Sequence, residues 1–124
     1  MYLLDTAAWI EYLLDTPLGK KVDLVLEAGS CYTCIVSIAE IAHWAKREGR
    51  PSKKAIEGVR RLSTLINLNP VIAKRAGELN FERKKVKRGW GMVDSFILAT
   101  ARFYTLTVLT KDSHFDDLPD AEML

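Results

Sequence analysis

Cysteine is scarce in this chain: two residues, Cys31 and Cys34, among 124. Two cannot form the disulfide framework of a small secreted domain. Long apolar runs are missing too, and nothing approaches the ~20 residues a membrane-spanning helix needs. The start, Met1-Tyr2-Leu3-Leu4-Asp5, has no basic stretch before its apolar residues and meets an acid at once, so no secretory signal is expected. Repeats and low-complexity linkers are also absent. What is there is ordinary globular composition, 48% apolar and 27% charged, which argues against disorder. The expectation is a cytoplasmic chain folding as one domain, residues 1–124, around one core.

The net charge of +2 hides a strong pattern. Residues 1–45 carry six acids and two bases, residues 46–88 fourteen bases and four acids, and residues 89–124 six acids and two bases again. Two acidic flanks enclose a basic middle. Solvated helix faces would account for part of this; the other reading is that the acids gather around cations while the bases face an anion.

Tyr2-Leu3-Leu4 reads as a short buried strand ending at Asp5. Trp9, Ile10, Leu13 and Leu14 then recur at helical spacing, and Pro17 opens a second helix that Gly29 stops. Cys31 to Val36 is strand-like in composition, and a long helix runs from Ser37 to near Gly49. Pro51 opens a helix running to about Ile66; Asn67-Leu68-Asn69-Pro70 is a break with room for a very short strand. A further helix starts at Pro70 and leads into a basic stretch, which Gly89-Trp90-Gly91 interrupts. Met92 to Tyr104 is helical, Leu106 to Leu109 is the clearest strand, and a last strand is expected at 121–124. Strands alternating with helices imply parallel pairing through right-handed crossovers, hence an α/β fold: a three-layer α/β/α sandwich on a short parallel sheet.

Ligands of open parallel sheets sit outside the carboxyl ends of the strands. Asp5 follows the first strand. Glu40 lies in the first turn after the second, and Asp112 follows the 106–109 strand. The helix carrying Asp94 runs down to the start of that strand, so its own first turn belongs at the carboxyl edge. Each acid also has a plain structural role on offer. Asp5 can cap the helix at Thr6, Ser37 and Glu40 fit a capping box, Asp94 can cap its helix or complement its dipole, and Asp112 is a turn residue beside Ser113. Caps need no common edge, however, and clustered carboxylates repel unless protons or cations neutralise them.

A hard divalent cation neutralises them most economically. Carboxylate oxygens favour Mg²⁺ or Mn²⁺, and such an ion activates water and stabilises a leaving oxygen in phosphodiester hydrolysis. Thr6, Thr110 and Ser113 are placed to orient acids or waters.

Leu3-Leu4-Asp5-Thr6, Val36-Ser37-Ile38-Ala39-Glu40-Ile41, Asp94-Ser95-Phe96-Ile97-Leu98-Ala99-Thr100-Ala101 and Leu109-Thr110-Lys111-Asp112-Ser113-His114-Phe115 stand in an order and spacing similar to the PIN-domain ribonucleases. The chain most closely resembles the small VapC-type toxins of toxin–antitoxin pairs. The resemblance covers essentially the whole chain and implies a PIN-like fold and an Mg²⁺- or Mn²⁺-dependent endoribonuclease acting on RNA. It implies an acidic centre of Asp5, Glu40, Asp94 and Asp112, with Asp5, Asp94 and Asp112 as direct ligands and Glu40 acting through water. Asp116, beside Asp117, resembles an auxiliary acid of some members. A homodimer and a cognate antitoxin are likewise implied. Two departures stand out: Ala7 occupies a position where serine or asparagine is common, and Gly89-Trp90-Gly91 is bulkier than expected before Asp94.

An RNA backbone nearing an acidic pocket needs positive charge around it. Arg83, Lys84, Lys85, Lys87 and Arg88, just before Asp94, are the candidate contacts; Lys46, Arg47, Arg50, Lys53 and Lys54 read as a solvated helix face. Trp9, Trp44 and Trp90 are candidate interface anchors; the core is the better reading for Trp9 and Trp44, while Trp90 stands evenly between core and interface and is also placed to stack on an RNA base. Cys31 and Cys34 point to opposite faces of a strand and cannot share a metal. His43 is expected to be structural; His114, next to Asp112, is placed to touch substrate, although a loop histidine is usually just solvated. Two rival functions remain: a phospho-acceptor receiver, which lacks its paired acids and acceptor aspartate here, and a catalytically inactive PIN-like module that binds RNA or protein.

Overall fold

Leu3 and Leu4 are neighbours in one strand and both are fully buried. Adjacent strand residues point to opposite faces, so both faces of the sheet must be covered. The computed structural model, which describes residues 1–124, shows how. The first strand, β1 (Tyr2–Leu4), leads into α1 (Thr6–Leu13) and α2 (Pro17–Ala28). Then come β2 (Cys31–Cys34), α3 (Ile35–Arg47), α4 (Ser52–Leu62) and β3 (Thr64–Ile66). The chain continues through α5 (Pro70–Lys84), α6 (Met92–Phe103), β4 (Thr107–Thr110), a 3₁₀ turn (Ser113–Phe115) and β5 (Ala121–Met123).

All strands pair in parallel, in the order β3-β2-β1-β4-β5. Leu3, Cys34 and Val108 face one apolar cluster with Ile72, Leu79, Ile97 and Leu98 of α5 and α6. Leu4, Cys31 and Leu109 face another with Trp9, Val22, Ile41 and Val59 of the first four helices. This is the expected three-layer sandwich, and the two cysteines lie on opposite sides of its sheet.

The helix starts carry the expected signals. Asp5 accepts from the Thr6 amide at the head of α1, Thr16 caps α2 ahead of Pro17, and Asn69 caps α5 ahead of Pro70. Three boundaries differ from the sequence reading by more than one residue, and the strand expected over 106–109 runs from Thr107 to Thr110. The strand expected over 31–36 ends at Cys34, and α3 begins at once with Ile35. Ser37 therefore sits inside the first turn, so the expected capping box with Glu40 does not form. The helix expected to reach Ile66 stops at Leu62: the Ser63 hydroxyl bonds back to the Val59 carbonyl and meets Thr33 of β2, and residues 64–66 peel off to pair with Tyr32–Cys34. The short strand suspected at 67–70 is thus found a few residues earlier. Side-chain hydroxyls that compete for backbone groups end helices in this way.

The order places β1 in the middle. The chain winds outward to β2 and β3 on one side and returns to β4 and β5 on the other. The switch point falls between β1 and β4, whose register pairs Leu4 with Leu109. The next residues on the two strands, Asp5 and Thr110, meet at the carboxyl edge, where a crevice is expected.

Candidate metal centre

Asp5 is built into that crevice by three contacts. Its amide donates to the Leu109 carbonyl at 3.0 Å, and its carboxylate accepts from the Thr6 amide and the Thr110 hydroxyl, both at 2.8 Å. Only 4% of the residue remains exposed. Burial pushes its carboxyl up to about 7, against the downward pull of the Thr110 and Thr6 hydrogen bonds and with a further upward push from the Asp94 and Asp112 charges. A carboxylate held this way is short of positive charge.

Asp94 arrives from the first turn of α6, where it reaches back to accept from the Gly91 amide at 3.1 Å. Asp112 follows β4. Its amide donates to Thr110 Oγ1 and its carboxylate caps the 3₁₀ turn by accepting from the His114 amide, both at 2.9 Å. Thr110 thus bridges Asp5 and Asp112 through one hydroxyl. Glu40, inside α3, accepts from the Thr6 hydroxyl, which also lies 2.9 Å from the Ser37 hydroxyl. The caps and the cluster coexist: three of the acids spend one oxygen or more on local amides, and those bonds aim them at one place.

The donor atoms of Asp94, Asp112 and His114 lie within 4.8 Å of one another. His114 Nδ1 is 3.1 Å from Asp94 Oδ2 and 3.5 Å from Asp112 Oδ1. Acids and imidazole of this kind suit a divalent cation, and the unmet charge of Asp5 beside them fits one too. His114 is thus half-buried against Asp94 rather than solvated in its loop. The Asp112-Ser113-His114 spacing, two residues across a tight turn, was the available signal for it.

The structure distributes the other candidates unevenly. Thr6, Ser37 and Thr110 are buried at the acidic edge, whereas Ser113 is exposed on the 3₁₀ turn. Asp116 points away to Lys87. Of the five bases expected on RNA, two are occupied internally. Arg83 is buried, forms a two-pronged bond with Asp117 at 2.8 Å, donates to the His114 carbonyl and stacks over Trp90. Lys87 pairs with Asp116 and Asp117. Lys84 bonds the Trp90 carbonyl from an exposed position, and Lys85 and Arg88 stay exposed.

Trp90, for which an RNA platform was one reading, is core: 1% exposed, packed on Phe115, its indole N–H donating to Ser95 Oγ. Trp9 and Trp44 are buried as expected. His43, expected to be structural, is exposed and lines a shallow groove of about 350 Å³ with Glu40 and Arg47.

A fold and an acidic edge of this kind define a class of protein. The PIN domain model matches residues 2–121, and the chain belongs to the PIN domain family, whose members are typically nucleases. Solved structures agree on the fold. A toxin–antitoxin complex from Klebsiella pneumoniae is 23% identical, with 99% of this chain and 97% of that one covered at a TM-score of 0.77. DNA-bound VapBC from Salmonella typhimurium is 18% identical, with coverages of 99% and 96% and a TM-score of 0.79. VapC20 of Mycobacterium tuberculosis, a sarcin–ricin loop cleaving toxin, is 13% identical, with coverages of 96% and 95% and a TM-score of 0.76. No protein of curated function matches the sequence. No helix is long and apolar enough to cross a membrane.

Proposed function

We propose that this chain is a divalent-cation-dependent endoribonuclease and the toxin of a toxin–antitoxin pair, working in the cytoplasm as a homodimer held in check by its antitoxin. The donor atoms of Asp94 and Asp112 that meet with His114 at the carboxyl edge, together with a buried Asp5 whose carboxyl is raised to about 7 by burial and by the charges of those two acids, carry the reading. PIN membership and the toxin–antitoxin context of several structural relatives support it. Cleavage of an RNA loop by one such relative, VapC20, favours RNA as the substrate.

Asp5, Asp94 and Asp112 would hold Mg²⁺ or Mn²⁺, and Glu40 would act on water at the rim. The ion supplies a lowered water pKa and charge stabilisation of the phosphoryl oxygens. The chain supplies orientation. Thr110 fixes Asp5 relative to Asp112, and the Thr6–Ser37 pair fixes Glu40. Lys84, Lys85 and Arg88 offset the approach of an anionic backbone to the acidic edge.

Cleavage of a labelled structured RNA pool tests the reading, in Mg²⁺, in Mn²⁺ and in EDTA, with wild type beside Asp94→Asn. The expected outcome is metal-dependent cutting that drops by at least about a hundredfold in the variant. Absence of cutting in every metal, from a folded chain free of antitoxin, would favour the binding-only module instead.

A further inference from the structure

Metal-dependent nuclease chemistry on carboxylates does not call for an imidazole, yet one lies among them. We infer that His114 Nδ1 is a direct ligand of the divalent cation and that the site consequently takes Mn²⁺ in preference to Mg²⁺, an inference that rests on the function proposed above.

The ring has little choice of direction. Its residue is fixed at both backbone ends: the amide donates to Asp112 Oδ1 and the carbonyl accepts from the buried Arg83. One side of the ring lies near Trp90, with centroids 6.4 Å apart. Its Nε2 is turned to Gly89, where an added Cβ would come within 3.0 Å of it. Gly89 also has φ +85, a conformation side chains resist, so the space beside the ring stays open for two reasons. With Nε2 committed to that side, Nδ1 faces the two carboxylates.

The separations allow a hydrogen bond from Nδ1 to Asp94 Oδ2 and equally a cation shared with Asp112. An N–H group bonds one acceptor well and weakens steeply with distance and angle. Here Nδ1 stands between Asp94 Oδ2 at 3.1 Å and Asp112 Oδ1 at 3.5 Å. Neighbouring ligands of an octahedral ion with bonds of about 2.1 Å are about 3.0 Å apart. Asp94 Oδ2 also has a local donor already in the Gly91 amide. Neutral imidazole with its proton on Nε2 offers the Nδ1 lone pair. Mg²⁺ favours oxygen and keeps its waters, whereas an imidazole nitrogen is a better ligand for first-row transition ions, so of the two ions named above Mn²⁺ is the one that gains from it.

Pulsed electron spin resonance of the Mn²⁺-loaded full chain reads the proposal directly. The expected spectrum shows ¹⁴N coupling from a bound imidazole, replaced by ¹⁵N coupling when histidine is ring-labelled and lost in His114→Ala. Calorimetric titration should show wild type binding Mn²⁺ more tightly than Mg²⁺. In the variant, Mn²⁺ affinity should fall at least about tenfold, with a much smaller change for Mg²⁺. Bound Mn²⁺ without nitrogen coupling would overturn the inference while leaving the nuclease reading intact, as would equal losses for both metals in His114→Asn, which retains a polar side chain. Failure of the wild-type chain to bind either ion would instead overturn the metal-dependent reading on which it rests.

Discussion

Asp5 carries the most consequential electrostatics of any single residue. Free in an unfolded chain its carboxyl titrates near 3.8, and in the fold it is pushed up to about 7, mainly by burial. Between those values the folded state keeps a proton that the unfolded chain has released. The contribution of Asp5 to stability without metal is therefore greatest below about pH 4, falls as the pH rises toward 7, and levels off above it. The full penalty is on the order of 4 kcal/mol at most. Asp5→Asn removes the charge, so the metal-free variant should be more stable than wild type at pH 8, with the gap closing toward pH 4. Urea midpoints across that range check it, and a flat wild-type profile would refute the burial account. Adding cation should reverse the order, because only the carboxylate gains from it. At this scale the sequence disclosed the acids through their neighbours but not the depth of Asp5. That depth comes from the Leu4–Leu109 pairing, which brings the Thr110 hydroxyl to it across a strand boundary.

The elements hold the site through a few close approaches. Gly19, in the first turn of α2, lies so near α1 that an added Cβ would stand 2.2 Å from the Glu11 carbonyl oxygen. Glu11 is buried there and accepts from Thr16 and from Lys111, the residue between Thr110 and Asp112. Gly19→Ala should thus push α1 and α2 apart and cost about 2–3 kcal/mol. Gly77→Ala, on an exposed turn of α5 with open space around it, should stabilise by up to about 1 kcal/mol. Thermal melts of the pair would separate crowding from helix propensity. Helix and strand positions were legible because caps, prolines and apolar spacing are local signals. The end of α4 was not, because the Ser63 hydroxyl stops it together with Thr33 from another strand. The start of α3 was misplaced for a related reason: Ser37 and Glu40 have the spacing of a capping box, but Thr6 of α1 takes Glu40 instead.

Across the whole molecule the charge map gains meaning once the internal pairs are set aside. Arg83 and Lys87 are held by Asp117 and Asp116, and the Arg83 guanidinium holds the Asp117 carboxyl down at about 2. Lys84, Lys85 and Arg88 remain toward solvent. Replacing those three with Gln should reduce the slope of log affinity against log salt by about 2 for a single-stranded RNA. Fluorescence anisotropy on the Asp94→Asn background reads it without cleavage. Arg83→Gln should instead lower the melting temperature, since it leaves Asp117 and the His114 carbonyl without their donor, and should change the salt slope little.

The sequence by itself determined the layer architecture and the acids of the edge, because strand–helix alternation and the residues that close each strand are written along the chain. It also separated the cysteines, since strand periodicity alone turns Cys31 and Cys34 apart. Only the tertiary structure decided which charged side chains are free. Whether a lysine, an arginine or a histidine meets solvent, an acid or a cation depends on residues distant in the chain. That is why Arg83 left the basic surface for Asp117, Trp90 turned into the core, and His114 came to face Asp94.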